Sequence, residues 1–131
     1  MRSVIAFSLL VNFAGELGLF QLYKYGFEYD KLAHFSVSML FSFMLGESLK
    51  EWENFSVKKR IMVTLLVVFA SGILWEFFEA SSDFLFKTKV WGVYGQHLVT
   101  DTYTDIFCNT LGGIAGIIIS LLPKKNKKRL L

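Results

Sequence analysis

Asp101-Thr102-Tyr103-Thr104-Asp105-Ile106-Phe107-Cys108-Asn109 runs without a break into an apolar stretch at 110–122. Asp101, Asp105 and Asn109 recur every four residues, so on a helix they form one polar stripe along one face. The other faces of that helix are apolar. Two carboxylates and an amide carried into hydrocarbon are costly unless other parts of the chain supply partners. The reading of this stretch therefore rests on whether the remaining segments also span a membrane and what they bring to the same depth.

Composition points to a membrane. Hydrophobic residues make up 53% of the 131 residues and charged residues only 19%, with a mean hydropathy of +0.46. A water-soluble domain of this size rarely runs so apolar. Phe occurs 14 times and Pro once, which suits long lipid-facing helices. The net charge of +3 does not indicate a nucleic-acid partner, because the Lys and Arg residues flank apolar segments and form no amphipathic stripe. Cys108 is the sole cysteine, so an intrachain disulfide is excluded.

Working outward from the opening stretch, 104–122 is a fourth span, closed by Pro123 and a basic tail at 124–129. Upstream, 84–100 is the longest connection. It holds Trp91, Tyr94 and His97, and reads as an interfacial segment or a lid, since aromatic residues of this kind favour the membrane–water boundary. The third span, 61–81, is free of charge in its first half and carries Glu76 and Glu79 in its second, with Asp83 just beyond. A charged loop at 51–60 separates it from the second span, 32–49, which is about long enough for the roughly 30 Å hydrocarbon core. Asp30 and His34 sit at its start, Glu47 and Lys50 at its end. The first span, 3–23, carries Asn12, Glu16 and Gln21 and lacks a small-residue cleavage site, so it reads as a retained helix and not a signal peptide. The expectation is an all-α integral membrane bundle of four helices forming one domain, 1–131.

Arg2, Lys50, Lys58, Lys59, Arg60 and the five basic residues of the tail lie on one side, against Lys24, Lys31, Lys87 and Lys89 on the other. The positive-inside bias then puts both termini in the cytoplasm, with the long connection outside.

On that topology the acids converge. Asp30 and His34 lie at the outer end of helix two, and Glu76, Glu79 and Asp83 share a face at the outer end of helix three. Asp101, Asp105 and Asn109 occupy the outer end of helix four, and Glu16 lies past the middle of helix one. The cytoplasmic halves of helices three and four read as almost purely apolar. So many carboxylates at one depth need protons or cations to neutralise them. Mg²⁺, Ca²⁺ or Mn²⁺ suits carboxylate ligands, and Zn²⁺ or Fe follows if His34 and His97 contribute nitrogen. Asp30, His34, Glu79, Asp101 and Asp105 are the candidate ligands and Glu76 the candidate general base. Glu16, Asp83, His97 and Asn109 complete the polar set.

Plainer readings stand beside these. Asp30 and Asp101 can serve as helix caps. Asn12 with Glu16 can form an interhelix pair, and the acids as a whole can be interhelix glue. Gly112 and Gly116 give a G-x-x-x-G spacing for close packing, within the chain or in a homo-oligomer. Trp52, Trp75 and Trp91 read as interface anchors or packing.

Tyr29-Asp30-x-x-x-His34-Phe35, then Trp75-Glu76-x-x-Glu79, then Asp101-x-x-x-Asp105-Ile106-x-x-Asn109-x-x-Gly112 resembles the YjdF-type family of inner-membrane proteins. More distantly it is similar to VanZ-like proteins, which share an Asp-Lys-x-x-His-Phe start, a mid-chain Glu and an Asp-x-x-x-Asn-x-x-Gly ending. The resemblance covers roughly residues 28–116 and implies a multi-span protein of the cell membrane. VanZ-like members are associated with resistance to glycopeptide antibiotics, which act at the envelope.

Three functions fit. The first is a divalent-cation site near the outer face that binds or acts on a lipid-linked envelope molecule. The second is an ion- or proton-coupled transport component, and the third a structural or partner-binding protein in contact with membrane lipids.

Overall fold

Apolar side chains point outward and polar ones inward. The computed structural model describes residues 2–52, 55–86 and 98–123, apart from the side chains of Glu16, Asp83 and Leu98. Among them, the buried hydrophobic residues are only Val4, Leu49, Val68 and Ile117. His34, Ser38, Ser42, Thr64, Glu76, Asp101, Asp105, Asn109 and Ser120 are all buried, while Phe69, Phe77, Phe107 and Ile118 are exposed. In water this arrangement would be untenable. In lipid it is the expected one, since hydrocarbon solvates the outer face and polar groups seek each other inside.

The helices are α1 (Arg2–Glu16), α2 (Tyr29–Lys50), α3 (Val57–Phe86) and α4 (Leu98–Leu121), with a 3₁₀ helix (Leu19–Tyr25) between α1 and α2. α2, α3 and α4 are each long and apolar enough to cross a membrane. α3, at 30 residues, runs to about 45 Å, well beyond the hydrocarbon core. It extends through Phe86 and α4 begins at Leu98, so helix takes up both ends of the connection expected at 84–100. Residues 87–97, including Trp91 and His97, lie outside the described residues, as does the basic tail.

The first span is not the single straight helix expected at 3–23. Arg2–Gly15 and Leu19–Tyr25 are bent by 52°. The break falls at Gly18, whose φ of +125° is a conformation that disfavours any residue with a Cβ. Phe20 then folds back onto Gly15, where a Cβ would lie 2.2 Å from its ring. The Tyr29 hydroxyl donates to the Val11 carbonyl at 2.9 Å and ties α1 to the start of α2.

α2 and α4 form the tightest seam. A Cβ on Gly112 would lie 2.2 Å from the Phe35 carbonyl oxygen, and one on Gly116 would lie 2.1 Å from that of Met39. The G-x-x-x-G spacing is thus used within the chain, where it brings two backbones into contact. Four of the buried positions of α2, His34, Ser38, Ser42 and Gly46, fall four apart and face this seam. Ser38 Oγ donates to Asn109 Oδ1 and Ser42 Oγ to the Gly113 carbonyl, each at 2.6 Å. At the far end Lys50 donates to the Ser120 carbonyl and to Glu47.

Buried hydroxyls recur along the inner face beside Val68 and Ile117, so the basic halves of α3 and α4, expected to be almost purely apolar, each carry one inside. Thr64, Ser42 and Ser120 are among the most completely buried side chains. Single hydroxyls spaced through an apolar run barely alter its hydropathy, yet they occupy the inward positions.

Candidate functional site

The acidic stripe of α4 reaches its partners across the α2–α4 seam. Lys31 Nζ lies 2.5 Å from Asp101 Oδ1, 2.6 Å from Asp105 Oδ1 and 3.4 Å from Asp30 Oδ2. All four side chains are largely buried. The lysine thus supplies one internal positive charge to three carboxylates. Charge-assisted bonds of this length are the strong kind, and they offset the cost of burying the ions.

Asp30 and Asp101 each lie in the first turn of their helix, where a carboxylate favours the helix dipole, and both also face Lys31. Residue Glu28 holds the N-cap position of α2 and makes no side-chain cap hydrogen bond. Asp30 lies inside the first turn, its carboxylate turned to Lys31 and His34. Asp101 is buried within α4 against Lys31.

His34 is the hub of the remaining cluster. It projects from α2 one turn after Asp30. Its Nε2 is 3.6 Å from Asp30 Oδ1 and 3.8 Å from Asp105 Oδ1, and its Nδ1 is 3.9 Å from Glu76 Oε1. These exceed direct hydrogen-bond distances, so the imidazole stands among three carboxylates without a close bond to any of them. Two donor groups result, Asp30 with His34 and Asp105, and His34 with Glu76 and Glu79. In each, one ligand atom per residue lies within 4.8 Å of the others.

The two groups differ in charge. The first shares Asp105 and Asp30 with the Lys31 ammonium, which would repel a metal ion. The second carries no lysine. Glu76 is 8% exposed and its Oε1 is a buried oxygen with no hydrogen-bond partner. Such an atom costs roughly 1–3 kcal/mol or more if left so. Glu79 accepts a 2.8 Å hydrogen bond from Trp75 Nε1. That bond joins Trp75, expected only as an anchor or packing residue, to the site.

Asn109 extends the stripe one turn deeper and is held by Ser38. Asp101 stands outside both donor groups. Asn12 bonds within its own helix, to the Ser8 carbonyl at 2.9 Å. The side chains of Glu16 and Asp83, and all of His97, lie outside the described residues.

Lys31 is the residue that the sequence reading missed, since it was counted only as a charge bordering a span. Its spacing of three from His34 and seven from Ser38 places it on their face, which is the signal available in the sequence.

A cavity of about 250 Å³ adjoins the cluster. Asp30, His34, Glu79 and Asn109 line one part of it, and Val4, Val37, Phe41 and Val68 line another.

No curated protein and no solved structure matches the chain. Residues 1–126 match the family described as predicted membrane protein (DUF2238), and this multi-pass helical protein with its buried Asp, Glu and His cluster belongs to that family.

Proposed function

We propose that His34, Glu76 and Glu79 hold a divalent cation and that this cation binds, or acts on, a lipid-linked molecule of the cell envelope. The observation that carries the reading is the buried, unpartnered Oε1 of Glu76 beside an imidazole and a second carboxylate. One nitrogen and two carboxylate donors favour Zn²⁺ or Mn²⁺ over Mg²⁺ and Ca²⁺, which prefer all-oxygen sites. Ligands of such an ion sit about 2.0–2.2 Å from it, so a small inward movement of the three side chains completes the site. The cation would polarise a phosphate or activate a water, and Asp30 or Asp105 would stand near enough to take up a proton. In this reading Lys31, Asp101 and Asp105 hold α2 to α4.

The excess of Lys and Arg at the opposite end of the bundle supports a cytoplasmic position for both termini and an outward-facing cluster in the cytoplasmic membrane. The likeness to YjdF-type and VanZ-like proteins supports an envelope role.

Elemental analysis of purified protein in mild detergent tests the metal. About one Zn²⁺ or Mn²⁺ per chain is expected in the wild type, and its loss in Glu76→Gln and His34→Gln while both stay folded. A wild type that takes up neither ion when both are supplied overturns the reading.

A second reading, ion- or proton-coupled transport, is favoured by the buried Ser42, Thr64 and Ser120 beyond the cluster. It predicts ion flux in proteoliposomes that Ser42→Val abolishes. Flux that is absent, or unchanged by the substitution, removes it.

A further inference from the structure

α1 packs on α2 and on the 3₁₀ helix. No Cα of α1 lies within 8 Å of α3 or α4 among the described residues, although the cavity is lined by Val4 and Ser8 of α1 and by Val68 and Ser71 of α3. The cavity is thus a cleft between α1 and α3 with α2 and Asn109 of α4 as its floor, and Phe20 of the 3₁₀ helix also lines it. Both flanking helices otherwise turn apolar side chains outward, Ile5 and Leu9 on α1, Phe69 and Ile73 on α3. A gap between two such helices faces hydrocarbon.

The cleft is graded along its length. Asp30, His34 and Glu79 stand at the acidic end, and Val37, Phe41, Val4 and Val68 deeper. Asp30 and Phe41 are eleven residues apart on α2, so the cleft runs about 16 Å along the helix axis, close to half of the hydrocarbon core. At about 250 Å³ it is smaller than the roughly 300–1,000 Å³ pockets that enclose a whole drug-sized ligand. It has room for part of one hydrocarbon chain and none for two.

We infer that this cleft is a lateral entry for a single hydrocarbon chain of a phosphate-headed membrane lipid, admitted between α1 and α3 with its head at the acidic end. The inference deepens the proposed function and rests on it for the head, because the carboxylates would repel a phosphate unless a cation bridges them. The chain needs no cation. Its recognition is by the apolar walls and by the depth of the cleft, which matches one leaflet.

The test uses full-length protein in phosphatidylethanolamine vesicles. The vesicles contain a phosphatidylglycerol whose acyl chain carries a diazirine. After irradiation, labelled sites are mapped by mass spectrometry. Labelling is expected to concentrate at Val4, Val37 and Ser71, above that at Phe107 and Ile118 on the lipid-facing side of α4. It is expected to fall to the level of those two positions in Val37→Trp or Ser71→Trp, with metal content unchanged. Even labelling around the wild-type bundle overturns the inference, as does cleft labelling that persists in a folded Trp variant. Should both variants fail to fold, the wild-type map decides alone. Cleft labelling in a wild-type protein that takes up neither Zn²⁺ nor Mn²⁺ would leave the chain site standing while the metal reading fails, so the two failures are separable.

Discussion

The α2–α4 seam and the α1–α3 cleft lie in one bundle and obey opposite rules. At the seam, glycines remove side chains so that backbones touch. At the cleft, Val4, Val37, Phe41 and Val68 line a cavity of about 250 Å³. The seam carries the buried hydrogen bonds, Ser38 to Asn109 and Ser42 to the Gly113 carbonyl, together with the Lys31 ion pairs. The cleft shares Ser38 and Asn109 with the seam and is lined at its acidic end by Asp30, His34 and Glu79. In a membrane no hydrophobic force closes a gap between apolar helices, because lipid fills it equally well. Helices join where small residues and polar partners bring them together, and a pair lacking these stays open. The difference locates stability at the seam and access at the cleft.

Placing the same side chain on each breaks or sharpens the contrast. Gly112→Leu puts a branched side chain where a Cβ already falls 2.2 Å from the Phe35 carbonyl. Backbone cannot yield as a side-chain tip can, so loss of the folded monomer in detergent is expected, read by size-exclusion elution and helicity. A folded Gly112→Leu protein of wild-type thermal stability would dismiss the seam as the organising contact.

Lys31→Met should have the next largest effect. It leaves Asp101 and Asp105 buried against each other without a cation, at a cost of about 3–5 kcal/mol, measurable as reduced thermal stability. Adding Asp105→Asn to Lys31→Met should recover part of that loss, whereas a structural role for the lysine stem alone would give no recovery. The smallest effect is expected on the other side. Ala33→Leu adds bulk to the cleft and should cost less than the roughly 1–3 kcal/mol of overpacking a filled core. A loss equal to that of Gly112→Leu would mean that the cleft is as tightly closed as the seam.

Much of this fold was legible from particular residues. Asp101, Asp105 and Asn109 at spacing four, entering an apolar run, required a helix with an inward stripe. Glu76 and Glu79 required the same of α3, and Asp30 with His34 of α2. The bend at Gly18 was not legible, because glycine permits a positive φ without demanding it. The inward Ser42, Thr64 and Ser120 were not legible either, since a hydroxyl can bond its own helix backbone and face lipid as readily as it can face a core.

Sequence by itself determined the membrane class, the helical spans and the depth at which acids collect, because hydropathy and helical period act along a single segment. Tertiary structure alone decided which acids share Lys31, which stand around His34, and that Gly112 and Gly116 serve a seam within the chain. Most of those outcomes depend on contacts between residues far apart in the sequence, such as Lys31 with Asp105 and Ser38 with Asn109. A polar or glycine stripe states that a helix needs a partner, and only the packed bundle determines which partner it meets.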